Sequence, residues 1–209
     1  MRNSLTVLVV LVVSLAPNVG FAQARSVPPA TVTAIDIALE PDVTMLRHAA
    51  ALNARLRLSF PKGYALDASH RPHVTMLQRY VRTADLPKVY VTVILAKPPA
   101  DVVTAQQQII DAIAPYTVAT GTAAAFDTTP AEPDINASTI SYVAEFVPKS
   151  SGKNYIAHVT CGVASVAFVK TLEAEPFTPF TFSPVAVSVY QLGNFGTARK
   201  KLKEWMFTP

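Results

Sequence analysis

Two tetrapeptides stand out by residue type and spacing, His73-Val74-Thr75-Met76 and His158-Val159-Thr160-Cys161. They repeat one pattern, His-apolar-Thr-apolar, 85 residues apart in a chain with only four histidines. Histidine titrates near neutral pH, so one imidazole of a pair can be neutral while the other carries a proton. The neutral ring can take a proton from an attacking water, and the charged ring can give one to a leaving oxygen. General acid–base catalysis of this kind contributes about 10²–10⁴-fold. Two threonine hydroxyls can hydrogen-bond the non-bridging oxygens of a phosphodiester, whose charge must be stabilised in the transition state. The scheme calls for no metal and no other cofactor.

On a strand, residues i and i+2 share a face. His73 and Thr75 therefore project together, as do His158 and Thr160, while Val74, Met76, Val159 and Cys161 turn toward a core. Two such strands side by side bring four polar groups to one cleft. A lone His-x-Thr is ordinarily a strand histidine with structural hydrogen bonds; a second copy in the other half of the chain reverses that reading. Arg79 continues the 73, 75, 77 phase and is a candidate contact to phosphate or base, with a surface salt bridge as the plain alternative. Tyr155 and Tyr190 are candidate stacking partners for a nucleobase, with core packing as theirs. Lys153 reads as a solvated loop lysine and His48 as a surface or boundary residue of a helix. His70-Arg71-Pro72-His73 has the look of a two-ligand metal fragment, but Pro72 breaks any helix and no adjacent carboxylate or cysteine completes a set. Gly193-Asn194-Phe195-Gly196 lacks the strand–loop–helix frame of a phosphate-binding loop.

The elements that must hold these residues follow from periodicity. Residues 31–40 alternate, with Ile35, Ile37 and Leu39 on one side and Asp36, Ala38 and Glu40 on the other, as in a half-buried strand. Asp42 caps a helix running to about Leu58. A strand covers 73–81. Residues 82–99 fit either a helix from Leu86-Pro87 or a strand over 89–95, ended by Lys97-Pro98-Pro99. Asp101 starts a helix that ends at Pro115, and 116–120 is extended. Residues 121–134 form a loop. Ile140, Tyr142, Ala144 and Phe146 alternate, which points to a strand over 139–147. A strand over 155–164 carries the second motif, and a helix covers 165–175. Pro184 interrupts a strand over 180–192 and makes it an edge strand or two pieces. The basic residues Arg199, Lys200, Lys201 and Lys203 read as a solvated helix face. The pattern is that of an α+β protein whose halves meet at the motif strands.

Half of the 209 residues are hydrophobic and 15% are charged, a composition suited to one globular domain and not to a disordered or fibrous chain. Arg2, an apolar run over 5–16 and Ala22-Gln23-Ala24 read as a secretory signal peptide, residues 1–24, leaving a single domain over 25–209. The run is too short to span a bilayer, which takes about 20 residues, so no stable membrane anchor is expected after cleavage. The formal net charge of +4 falls by one when Arg2 is removed, a mild balance compatible with an anionic ligand but too weak for a nucleic-acid groove. Cys161 is the only cysteine. It cannot form an intramolecular disulfide and reads as a packed thiol.

The paired triplets His73-Val74-Thr75 and His158-Val159-Thr160, with strand and helix before the first and a helix and closing strand after the second, resemble the two-histidine (2H) phosphoesterase superfamily. That group includes 2′-5′ RNA ligase-like proteins and cyclic phosphodiesterases. The resemblance spans roughly residues 31–205. It implies a two-lobed, pseudo-symmetric fold of antiparallel sheets flanked by helices around a central cleft. It also implies catalytic His73 and His158, phosphate-binding Thr75 and Thr160, and metal-independent hydrolysis of 2′,3′-cyclic or 2′-5′ phosphodiesters. Only 20 residues separate Arg79 from Pro99, which is short for completing the first lobe. The expected partner is a nucleotide or RNA-end substrate, and the expected state is a secreted or periplasmic monomer. The alternatives are a non-catalytic nucleotide- or phosphate-binding module on the same fold, and a 2′-5′ RNA ligase.

Overall fold

The computed structural model describes residues 31–95 and 101–207. The predicted signal segment 1–24 and the Lys97-Pro98-Pro99 break lie outside the described residues. Among those described, no helix is long and apolar enough to cross a membrane.

Strand β1 (Val32–Pro41) matches the alternation and is the middle strand of the sheet. Helix α1 (Val43–Ser59) starts on Asp42, whose backbone is extended and whose side-chain Oδ1 accepts the Met45 N–H at 3.0 Å, an N-cap as expected. Strand β2 (Val74–Arg82) follows the first motif histidine directly. The ambiguous stretch after it is helix α2 (Leu86–Leu95). Pro87 falls in the first turn, where a missing N–H disrupts nothing. Val89 and Val93, one helical turn apart, are both buried. Helix α3 (Val102–Ile113) begins on Asp101, which accepts from the Val103 and Thr104 N–H groups. A two-residue strand β3 (Thr117–Val118) is followed by α4 (Ala137–Ser150), α5 (Val166–Glu173), β4 (Pro184–Leu192) and β5 (Ala198–Met206).

The five strands form one open antiparallel sheet in the order β3-β2-β1-β4-β5. The fold is α+β. On one face Ile35, Ile37, Leu77 and Val189 pack with Val89 and Val93 of α2 and Ile109 and Ile113 of α3. Each such aliphatic side chain contributes about 1.5–3 kcal/mol by leaving water. The other face carries Ala34 and Tyr80 against Phe126 and Val143, then Asp36 and Ala38 farther along β1.

Four predicted elements are corrected. Residues 139–147 are part of helix α4 and not a strand. Thr139, Val143 and Phe146 are its buried positions, at helical spacing, and they coexist with the alternation that suggested a strand. Pro148 lies in the last turn of α4 and cannot donate to the carbonyl of Ala144. Arg79 Nη1 donates to that carbonyl at 3.1 Å instead. Strand β4 is central, not an edge: Pro184 is its first residue, where no ladder bond is lost, and β5 covers its far side. The basic run is strand β5 and not a helix face. There Arg199 is buried against Glu132, and Lys200 and Lys203 are exposed. Finally, 155–164 is not a regular strand; it makes a single antiparallel bridge, Val159 with Val74. Beyond the bridge, Asn53 of α1 donates from Nδ2 to the Cys161 carbonyl at 2.9 Å and draws the chain away from β2. Gly162 follows with φ +149°, and a Cβ there would lie 2.9 Å from Asn53 Nδ2, so the close approach to α1 needs glycine.

Candidate active site

Val74 and Val159, the bridged residues, are the middle residues of the two His-Val-Thr triplets. Antiparallel register about that pair sets His73 opposite Thr160 and Thr75 opposite His158. Both valines pack into the main core, which fixes the opposite faces of the triplets outward. All four polar residues line one cleft of about 840 Å³.

The two histidines share a local geometry. His73 Nδ1–H donates to the Arg71 carbonyl at 2.7 Å, and His158 Nδ1–H donates to the Ile156 carbonyl at 2.8 Å. In each triplet the ring is tied to the carbonyl two residues upstream, which leaves Nε2 as the nitrogen available for chemistry.

Beyond that, the halves differ. His73 keeps 13% of its side chain exposed, and its Nε2 lies 3.3 Å from Oδ2 of Asp36, which is fully buried. Burial pulls the titration of this ring down. The hydrogen bond and charge of Asp36, the Arg71 carbonyl and the charge of Glu40 outweigh it, and the net shift is upward. Thr75 Oγ1 donates to the same Asp36 oxygen at 2.9 Å, and Gln78 Nε2 does so at 3.1 Å. His158 and Thr160 are exposed, and neither side chain meets a carboxylate among the described residues.

A bulge decides which residues join the site. β2 pairs with β1 in register up to Leu77 against Ile37, then skips Met76 so that Thr75 faces Ala38. Met76 and Leu77 both enter the core, and the face carrying His73 and Thr75 continues at Gln78. This corrects the expectation for Arg79. The bulge moves it out of phase with His73, and its guanidinium caps the Ala144 carbonyl outside the cleft. Tyr190 is also corrected: it is fully buried, packs with Ala38 and Ala198, and donates its hydroxyl to Glu40, so no face is open for stacking. Tyr155 does line the cleft. Its hydroxyl donates to the Thr75 carbonyl at 3.0 Å, tying the second triplet's segment to the first, and burial followed by the Asp36 charge pushes its titration up to about 12.

The remaining candidates have plain roles. Lys153 is exposed in a short 3-10 turn (Gly152–Asn154), and exposed His48 stacks on Phe180 at 3.8 Å. His70 and His73 part company: His70 stacks on Tyr64 and lies between Asp67 and Glu132, whereas His73 faces Asp36. Cys161 is half-buried, and burial raises its thiol titration. Phe195 and Gly196 border the cleft, with Phe195 exposed in left-handed backbone (φ 58°).

Sequence reasoning missed Asp36, Gln78 and Asn53. The sequence carries one signal for Asp36, a carboxylate flanked by two isoleucines in the middle of the strand. The bulge that recruits Gln78 left none. Asn53 is a buried amide on α1 that also accepts the Leu66 N–H and donates to the Tyr64 carbonyl, joining the 64–66 loop to the second triplet. Arg71 and Lys62 add positive charge to the cleft wall, and Glu132 adds negative charge. Comparison with known proteins finds no matching family model, no matching curated protein and no matching solved structure.

Proposed function

We propose that the chain is a phosphodiesterase of the 2H type that hydrolyses 2′,3′-cyclic or 2′-5′ phosphodiester bonds of nucleotides or RNA ends. The observation that carries this reading is the antiparallel bridge between Val74 and Val159, which brings two His-x-Thr triplets to one cleft. On a cyclic phosphate, one imidazole takes a proton from water as the water oxygen bonds to phosphorus. The bond from phosphorus to the 2′ or 3′ oxygen breaks, and the other imidazole gives that oxygen its proton. The product is a phosphomonoester beside a free hydroxyl. The matching Nδ1 bonds of His73 and His158 support a two-fold relation between the halves, and the two-lobed, pseudo-symmetric description belongs to the same proposal. So does export directed by residues 1–24, which places the activity in the periplasm or outside the cell.

Turnover of nucleoside 2′,3′-cyclic phosphates by purified protein in the presence of a chelator tests the reading, with His73→Ala and His158→Ala as controls. Metal-independent turnover lost in both variants supports it. Binding of the cyclic nucleotide without turnover replaces it with a non-catalytic binding module.

A further inference from the structure

The geometry points to Asp36 as a positioning residue of the first half-site, whose carboxylate holds His73 as the proton-carrying ring and takes the Thr75 hydroxyl, leaving Thr160 to supply the hydroxyl for a phosphate oxygen. This rests on the phosphodiesterase reading for its catalytic consequence and on geometry alone for the Asp36–His73 pairing.

A hydroxyl has one proton to donate, and a phosphate oxygen only accepts. Thr75 gives its proton to Asp36 Oδ2 at 2.9 Å, so it has none for a substrate in this arrangement. Thr160 is exposed on the cleft, and its hydroxyl has no partner among the described residues. The sequence presents the two threonines as equivalents; the structure separates them.

Asp36 is fully buried, and its other oxygen, Oδ1, has no hydrogen-bond partner among the described residues. The His73, Thr75 and Gln78 contacts all fall on Oδ2, and a buried carboxylate that stays ionised is costly without a cationic partner. The lysines and arginines nearby are engaged elsewhere: Lys201 with Glu40 and Glu204, and Arg199 with Glu132. Among the described residues, the one ionic partner of Asp36 is His73. The charged and titratable groups around His73 are Asp36 and Glu40 from β1, Tyr190 from β4, Lys201 of β5 through Glu40, and Arg71 of its own segment. Both carboxylates favour the imidazolium. With both nitrogens protonated, Nδ1–H donates to Arg71 and Nε2–H lies between Asp36 and the cleft. In hydrolysis that ring gives its Nε2 proton to the leaving oxygen, and His158 takes the proton of water.

The test is an NMR titration of the His73 ring in the full chain, with Asp36→Asn as the variant and no ligand present. The His73 midpoint is expected above the ordinary value of about 6.5 in the native protein and lower in Asp36→Asn. A native midpoint at or below that value, or equal midpoints in the two proteins, overturns the inference. Should Asp36→Asn fail to fold, Thr75→Val serves. It removes a donor from Asp36 and is expected to raise the His73 midpoint, and an unchanged midpoint counts against the pairing. Turnover of a nucleoside 2′,3′-cyclic phosphate separates this inference from the functional reading. A lowered midpoint without native turnover keeps the Asp36 role and removes the phosphodiesterase; turnover with equal midpoints does the reverse. With both in hand, the alkaline limb of the kcat/KM profile moves to lower pH in Asp36→Asn.

Discussion

Val74 and Val159 face each other across a single antiparallel bridge, and each is the middle residue of a His-Val-Thr triplet. That one contact converts two motifs remote in sequence into neighbours, with His73 level with Thr160 and Thr75 level with His158. Both valines are anchored in the core, so the polar faces are held by packing.

The two histidines differ in what they do for the fold. His158 is exposed, and His158→Ala is expected to change stability by no more than about 0.5 kcal/mol while lowering kcat/KM by about 10²–10⁴-fold. His73→Ala removes the ionic partner of buried Asp36 and is expected to lower stability by about 3 kcal/mol as well. Urea unfolding beside steady-state kinetics checks the contrast, and equal stability losses contradict it.

Stability should depend on pH through His73. Its titration is raised in the folded state, so the folded protein holds the proton more tightly than the unfolded chain. The stabilisation is complete below about pH 6.5, the unfolded value, and is lost as pH rises through the folded value. The stability advantage of the native protein over His73→Gln should therefore be largest in mild acid and shrink toward alkaline pH. An advantage that does not vary with pH contradicts the pairing.

Arg79 is expected to matter for folding and not for substrate. Arg79→Met leaves the Ala144 carbonyl unpaired and should lower stability by about 1 kcal/mol, with kcat/KM within about twofold of native. In a Pro148→Ala background, residue 148 regains an N–H for that carbonyl, and the same substitution should lose much of its effect. A double-mutant cycle measures the coupling; a large KM increase in Arg79→Met would return it to the substrate.

Gly162→Ala should loosen the second triplet. The backbone has φ +149°, and the added methyl would meet Asn53 Nδ2 at 2.9 Å and Leu56 Cδ1 at 3.0 Å. A stability loss above about 1 kcal/mol is expected, with a fall in kcat/KM as the Asn53 bond to Cys161 is displaced. Native kinetics in a folded variant would show that the Val159 bridge and the Tyr155 bond to Thr75 position the segment without Asn53.

Much of this architecture is legible in the sequence, and the failures have physical causes. Asp42 and Asp101 cap helices because a short carboxylate before an apolar-periodic run has few other local uses, and both are caps here. The Ile35, Ile37 and Leu39 alternation identifies β1. In α4, positions 140, 142, 144 and 146 satisfy the strand period while 139, 143 and 146 satisfy the helix period, and burial of the latter decides. The bulge at Met76 depends on how β2 pairs with β1, which no local pattern encodes, so strand alternation alone sets Arg79 on the wrong face and gives no sign of Gln78. Chain pairing likewise hides the central position of β4 and the strand character of β5. The four motif residues His73, Thr75, His158 and Thr160 do reach one cleft; what the motifs alone do not contain is Asp36, which makes their two halves unequal.

We propose that two facing His-x-Thr triplets make a metal-independent phosphodiesterase, and turnover of a nucleoside 2′,3′-cyclic phosphate in excess chelator is the decisive measurement. The expected result is conversion to a single phosphomonoester by the native protein, reduced by at least about 100-fold in both His73→Ala and His158→Ala. Absence of turnover in the folded native protein, or native rates in either variant, would contradict it.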